Sequence, residues 1–203
     1  MKEKTWDDVW AGGGRLNFLG KRLKSEEKKA MVSILARFLP ERQARILDVG
    51  CGTGYTLKTF RGLGYAESEG VDDSPNSIKL CEKAGFKEGA DVRLADAANL
   101  DYGDNEFELV FSEGLLEHFT DPTSLVREMC RVSKRFVLLF QPNSGSLVDR
   151  LKLLKEKTFG AEWQKDHPYT KKEYEDMFAR RGFVLIGSGG INFGELIWLL
   201  FKR

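Results

Sequence analysis

Histidine and cysteine are scarce in this chain: two histidines, His118 and His167, and three cysteines, Cys51, Cys81 and Cys130. The cysteines show neither metal-ligand nor disulfide-framework spacing, which argues against a zinc module or a stapled secreted scaffold and suits a reducing cytoplasm. No apolar run approaches the ~20 residues that a membrane-crossing helix needs. The first residues, MKEKTWDDVW, lack the apolar stretch of a secretory leader. A dominant charge sign is missing as well, with 32 Lys and Arg against 31 Asp and Glu. A net charge of +1 supplies no bulk attraction to nucleic acid, and runs such as KRLKSEEKK and KKEYED read as solvated helix faces. Internal repeats and low-complexity linkers are absent too. The expectation is a single cytoplasmic domain with no DNA or membrane partner and with its oligomeric state open.

What the chain does have is the stretch RILDVGCGTGY, Arg45 to Tyr55. Ile46, Leu47 and Val49 form a run too short for a helix and read as a buried parallel strand. Asp48 lies near its end, followed at once by Gly50, Cys51, Gly52, Thr53 and Gly54. Alternate glycines let the backbone turn sharply and admit a ligand close to the main chain. A helix starting near Tyr55 would set its unpaired N–H groups at the floor of that loop. Strand, glycine turn and helix N-terminus together describe a nucleotide-type binding corner.

Around that corner the pattern is regular. A helix is expected over Lys24 to Leu39, closed by Pro40, and a second over Tyr55 to Leu63. A strand from Ala66 to Val71 ends at Asp72-Asp73, and Ser74-Pro75 opens a helix to Ala84. Further strands are expected at Asp91–Ala95, Phe107–Phe111 and Arg135–Phe140, with a helix from Asp121 to Ser133 between the last two. Leu147 to Lys157 and Lys171 to Arg181 read as helices, with Thr158 to Thr170 irregular between them. Phe183–Ile191 and Glu195–Lys202 close the chain as strands joined too tightly for a crossover, hence antiparallel. Strand–helix alternation implies an α/β, Rossmann-like, doubly wound, seven-stranded sheet, mostly parallel with an antiparallel C-terminal hairpin. In the N-terminal segment Trp6 and Trp10 share a helix face ahead of the break at Gly12 to Gly14. They pack onto the domain or cap the corner.

The chemistry follows from what the corner can hold. No lysine follows Gly54, so a P-loop is excluded. The third glycine of a dinucleotide fingerprint is replaced by Tyr55. Asp48 would repel a pyrophosphate and attract an ammonium. Asp72, at the next strand end, can accept from both ribose hydroxyls. Asp96, at the third strand end, can accept from an adenine amino group. Ribose, adenine and ammonium without phosphate describe S-adenosylmethionine.

ILDVGCGTGY closely resembles the first motif of the class I S-adenosylmethionine-dependent methyltransferases, and GVDDSPNSI resembles their second. RLADAANLDYGDNEFELVF, FSEGLLEHFTDP and QPNS resemble the segments that follow, so the likeness runs from Arg45 to Asn143 in the family's order. The resemblance implies that Gly50, Cys51, Gly52 and Gly54 lie against the methionine part, with Asp48 at its ammonium. It implies Asp72 at the ribose, Asp96 and the main-chain N–H of Ala97 at the adenine, and Ser112 beside the methionine portion. Asp73 stands where the family usually has an apolar residue against the adenine, which leaves its backbone for that role. Products would be the methylated acceptor and S-adenosylhomocysteine.

Each aspartate also has a structural reading as a helix or turn cap, and Cys51 reads as a small packing residue. His118 is the candidate general base near the site, or else a brace for the following helix. Glu113 and Glu117 are candidate substrate contacts. The segment SEGLLEHF differs from the [DN]-P-P-[YFW] motif of enzymes that methylate amino groups of bases or glutamine, and no cysteine follows a proline as cytosine-carbon chemistry requires. A small-molecule acceptor is therefore expected. Residues 1–40 would form an N-terminal helical cap, 41–143 the cofactor-binding core, and 144–203 a substrate cover plus the terminal strands. A non-catalytic cofactor-binding subunit, a protein or RNA methyltransferase, and a nucleotide-linked dehydrogenase are the alternatives.

Overall fold

The computed structural model describes residues 18–144, 167–191 and 194–203, and the side chains of 18–24 lie outside that description. The expected helix Leu147–Lys157 and the tryptophans Trp6 and Trp10 fall outside it as well. Helix α1 (Phe18–Phe38) starts ahead of the expected Lys24 because only Gly20 interrupts its first turns, at a cost of about 1 kcal/mol. Then come β1 (Ile46–Val49), α2 (Tyr55–Gly62), β2 (Ser68–Asp72), α3 (Pro75–Lys83), β3 (Val92–Leu94) and β4 (Phe107–Glu113). A single 3₁₀ turn, Leu116–His118, precedes α4 (Thr123–Val132) and β5 (Ser133–Pro142). Helix α5 (Lys171–Ala179), β6 (Val184–Ile191) and β7 (Leu196–Lys202) complete the order.

The strands form one sheet of seven in the order β3-β2-β1-β4-β5-β7-β6. Strands β1 to β5 run parallel, and β7 pairs antiparallel with both β5 and β6. This is the expected Rossmann-like architecture. Strand β5 extends beyond its expected ends because β7 pairs with it from Phe136 to Pro142, supplying partners that periodicity cannot see.

Side-chain alternation along β5 divides the core in two. Phe136, Leu138 and Phe140 join Met31, Ile34 and Leu35 of α1 and Leu57 and Phe60 of α2 on one face. Val137 and Leu139 join Leu125, Val126 and Met129 of α4 and Tyr174 and Phe178 of α5 on the other. Each fully buried Leu, Ile or Phe contributes about 1.5–3 kcal/mol. The chain leaves β1 toward β2 and β3, then returns to place β4 on the other side of β1. That reversal opens a crevice beyond the carboxyl ends of β1 and β4, where α/β sheets receive ligands.

Candidate functional site at the switch point

The corner between β1 and α2 needs glycine for conformation. Gly50, Gly52 and Gly54 have φ of +77°, +52° and +73°, a region in which L side chains are strained. The loop closes on the protein itself. The N–H groups of Gly50 and Cys51 donate to the Val71 carbonyl at 2.9 and 3.0 Å, and that of Gly54 donates to Cys51. Gly52 N–H donates to Asp72 Oδ2 at 2.8 Å. Helix α3 holds the loop from below, with Ser77 Oγ and Cys81 Sγ both donating to the Gly52 carbonyl. The loop amides are therefore directed inward and do not form a phosphate cradle.

Asp72 is 8% exposed at the end of β2. Oδ1 accepts from Ser74 N–H at 3.0 Å, so the carboxylate clamps the loop to the start of α3. Burial pushes its carboxyl above the usual range, against the hydrogen bonds from Ser74, Gly52 and Ser77. Beyond these donors the two carboxylate oxygens retain lone-pair capacity for a ribose. Asp48 is 2% exposed within β1, between Gly70 of β2 and Phe111 of β4. Asp73 is exposed beside Asp72. Asp96 is exposed after β3, its Oδ1 accepting from Ala98 N–H at 2.8 Å, with Ala97 packed against the second core face. Ser112 is fully buried and gives its hydroxyl to the Val49 carbonyl at 2.9 Å, tying β4 to β1. The structure thus gathers Asp48, Gly50, Cys51, Gly52, Gly54 and Asp72 tightly. Asp73 and Asp96 stand at the rim, and the Ser112 hydroxyl serves the sheet.

Beyond β4 lies a second set of groups. Glu113 accepts a long bond from Thr56 at 3.4 Å, and the Leu115 side chain lies over Gly50, where a Cβ would meet it at 3.3 Å. His118 sits half-buried in the 3₁₀ turn with Nε2 4.0 Å from Glu117 Oε1. His167 is exposed, its N–H on the Glu117 carbonyl at 2.6 Å and its ring on Thr120. Tyr169 donates to the Phe119 carbonyl at 2.5 Å. Beneath the turn, the Tyr174 hydroxyl and both side-chain polar atoms of Gln141 are buried without hydrogen-bond partners among the described residues. Burial, and then the nearby Glu117, raise the Tyr174 phenol well above its ordinary range.

Several contributors escaped the sequence reading. Gly70 was a visible signal, since a glycine inside a strand marks a close approach; a Cβ there would fall 2.7 Å from Leu57 and 2.8 Å from Cys51. Ser77 and Cys81 share a face of α3 by their spacing of four. Nothing in the sequence marks Leu115, Gln141 or Tyr174. A separate groove of about 480 Å³, lined by Leu39, Glu41, Gln43, Ala44, Glu108, Lys134 and Arg135, lies at the opposite, amino end of the strands.

The family model described as a methyltransferase domain matches residues 47–140, the span from β1 to β5. Ajmaline N-methyltransferase of Rauvolfia serpentina is 32% identical over 99 residues, covering 46% of this chain and 34% of that protein. The ubiquinone biosynthesis O-methyltransferase of Thiobacillus denitrificans is 32% identical over 93 residues, covering 44% of this chain and 40% of that protein. The chain thus spans less than half the length of these curated relatives. Magnesium protoporphyrin IX methyltransferase from Synechocystis, solved with bound S-adenosylhomocysteine, superposes with a TM-score of 0.70 at 18% identity. That superposition covers 96% of this chain and 91% of the other, and it shows a common fold.

Proposed function

We propose that this chain is a class I S-adenosylmethionine-dependent methyltransferase and that it moves the donor's methyl group onto a small-molecule acceptor. The observation that carries the reading is the closed loop. Its amides are committed to Val71, Asp72 and Cys51, while Asp72 and Asp96 remain at the strand ends as acceptors. A pyrophosphate would find these four loop amides already taken and carboxylates beside them; a phosphate-free, cationic nucleoside finds the complementary charge. This weighs against a nucleotide-linked dehydrogenase.

S-adenosylmethionine supplies an electrophilic methyl on a sulfonium. The protein's part is to align it and the acceptor and to exclude water. Asp72 takes the ribose hydroxyls, Asp96 and the Ala97 N–H the adenine, and Asp48 the ammonium. The Gly50–Gly52 backbone would hold the methionine portion, with Leu115, which lies over Gly50, and Glu113 beside it. Asp73 would contribute backbone only. His118, in the turn after β4, would take the acceptor's proton, though a leaving group as good as a thioether makes a strong base unnecessary. Residues 1–40 would be the N-terminal cap, and 144–203 the substrate cover together with the terminal strands. Support for a small acceptor comes from relatives named for N-methylation of ajmaline and for O-methylation in ubiquinone biosynthesis. Cytoplasmic placement fits the three free cysteines. Among the described residues no helix is long and apolar enough to cross a membrane.

Calorimetric titration with S-adenosylmethionine, S-adenosylhomocysteine and NAD tests the donor. Binding of the first two and not of NAD is expected, and binding of NAD alone refutes the reading. A screen for labelled methyl transfer into amines, phenols and carboxylates tests the reaction. Donor binding with no transfer across that screen would instead favour a cofactor-binding subunit of a larger enzyme.

A further inference from the structure

Polar side chains that stability does not explain gather at the carboxyl end of β5. Gln141 is 0% exposed, and neither its amide oxygen nor its amide nitrogen has a hydrogen-bond partner among the described residues. The Tyr174 hydroxyl on α5 is in the same state. Both belong to one layer. Gln141 pairs with Ile197 of β7, as Leu139 pairs with Leu199 and Val137 with Phe201. Its side chain therefore leaves the sheet on the face that those residues share with α5. Helix α5 crosses that face from the carboxyl end of β5. Its lead-in is fixed there, because Ser144 N–H donates to the Tyr169 carbonyl at 3.3 Å. Farther along, Phe178 stacks on Phe201 with ring centroids 4.5 Å apart. Tyr174, one turn ahead of Phe178, thus comes down toward Gln141. A methionine at 141 and a phenylalanine at 174 would fill the same layer with no unpaired group.

We propose that Gln141 and Tyr174 are the specificity-determining pair of the acceptor site, selecting an acceptor that carries a neutral carboxamide or lactam group. This rests on the crevice being the methyl-transfer site. A primary carboxamide offers a carbonyl acceptor and N–H donors side by side, so its full complement is another amide, paired head to tail. The Tyr174 phenol adds a further contact, keeping its proton and donating to the carbonyl of the guest. Charged groups fit poorly. A carboxylate has no donor for the Gln141 carbonyl, and an ammonium has no acceptor for its N–H groups. Glu117 also stands close by. Its Oε1 lies 3.5 Å from where a Cβ on Gly114 would be, and Gly114 N–H donates to the carbonyl of Phe140, the residue before Gln141. That buried carboxylate repels an anionic guest.

Both groups are enclosed, so the guest is admitted past a moving cover. Residues 167–170 span the 3₁₀ turn, with His167 N–H on the Glu117 carbonyl at 2.6 Å and the His167 ring against the Thr120 hydroxyl at 3.2 Å. Tyr169 is the inner wall. Its ring stands edge-on to that of Tyr174, with centroids 5.6 Å apart, and its hydroxyl reaches the Phe119 and Thr120 carbonyls. Swinging Tyr169 off those carbonyls uncovers Tyr174, while Phe178 and Phe201 stay packed beneath. Closure behind the guest restores the bonds and excludes water from the transfer.

The test uses the full isotope-labelled chain saturated with S-adenosylhomocysteine, which keeps probes out of the adenine place. Benzamide, benzoate and acetophenone are titrated in while the Gln141 side-chain N–H signals, assigned by through-bond magnetic resonance experiments, are followed. Benzamide should shift those signals saturably and bind at least about tenfold more tightly than benzoate or acetophenone. Gln141→Met and Tyr174→Phe should each weaken benzamide about fivefold or more and remove the preference. Their affinity for S-adenosylhomocysteine, read by calorimetry, should hold. Benzamide without effect on the Gln141 signals would mean a pair satisfied by trapped water and would overturn the proposal. Benzoate binding as tightly as benzamide, or variants that keep the preference, would overturn it as well. A native protein that binds benzamide at Gln141 yet never S-adenosylhomocysteine would refute the donor site and leave the amide-selective pair standing.

Discussion

The two sides of the crevice are built differently. At the donor corner the loop amides of Gly50, Cys51, Gly52 and Gly54 all have protein acceptors, drawn from residues within a few turns of chain or from the next strand. Beyond β4, the Gln141 amide and the Tyr174 hydroxyl are buried with no hydrogen-bond partner among the described residues. A buried amide or hydroxyl left unpaired costs about 1–3 kcal/mol. The loop amides are thus satisfied within the protein, whereas the region beyond β4 holds polar groups that stability alone does not explain. Under the proposed function, that contrast suits a shared donor and an acceptor particular to this chain.

The sharpest way to break the donor side is Gly54→Ala. Its φ of +73° and a Cβ placed 2.7 Å from the Phe86 ring combine about 1–2 kcal/mol of left-handed strain with about 1–3 kcal/mol of overpacking. Urea unfolding should show a loss of about 2–5 kcal/mol, and a loss below about 1 kcal/mol would mean the corner relaxes freely.

Next in size, Asp72→Ala should weaken donor binding by about 1–3 kcal/mol, read by calorimetry. Unchanged affinity would place the ribose elsewhere. Because burial raises the Asp72 carboxyl, its ionised form is lost on acidification sooner than for an ordinary aspartate. Donor affinity of the native protein should therefore fall as pH drops through that raised pKa, and the variant should lack this step. The same raised pKa means that the ionised carboxylate is a burden on folding, largest above the folded pKa and relieved as pH falls.

On the acceptor side the expectation reverses sign. Tyr174→Phe and Gln141→Met should each leave stability unchanged or raise it by about 1 kcal/mol, since each removes an unpartnered buried group. If those groups meet the acceptor, its KM rises while donor affinity holds. A clear loss of stability in both variants would show that they are structural and would erase the contrast. The smallest effect is expected at His118→Asn, a drop in turnover under about tenfold; a loss of 10²–10⁴ would make the imidazole a true general base.

The donor side was readable from the chain because its parts are local and repeat a fixed grammar. The strand Ile46–Val49, the alternate glycines and the acidic end of the next strand announce their geometry by spacing alone. The glycines do adopt the left-handed backbone their placement suggested, and Asp72 does reach the loop, though as a clamp on Gly52 and Ser74 as well as an open acceptor. Ser112, expected beside the donor, gives its hydroxyl to the Val49 carbonyl, a partner the sequence did not name. One hydroxyl in a strand does not reveal which neighbour its face will meet.

Local backbone requirements, then, were enough to specify the glycine corner between β1 and α2, because strand, turn and helix start lie within a dozen residues and act through the main chain. Residues far apart in sequence decided the rest. Gln141 and Tyr174 share a layer only because β7 inserts between β5 and β6 and α5 packs where it does. Cys81 reaches the Gly52 carbonyl only because α3 folds back beneath the loop, and Cys51 fits there because Gly70 leaves it room. Side-chain neighbours across a sheet depend on register and packing, which no single segment encodes.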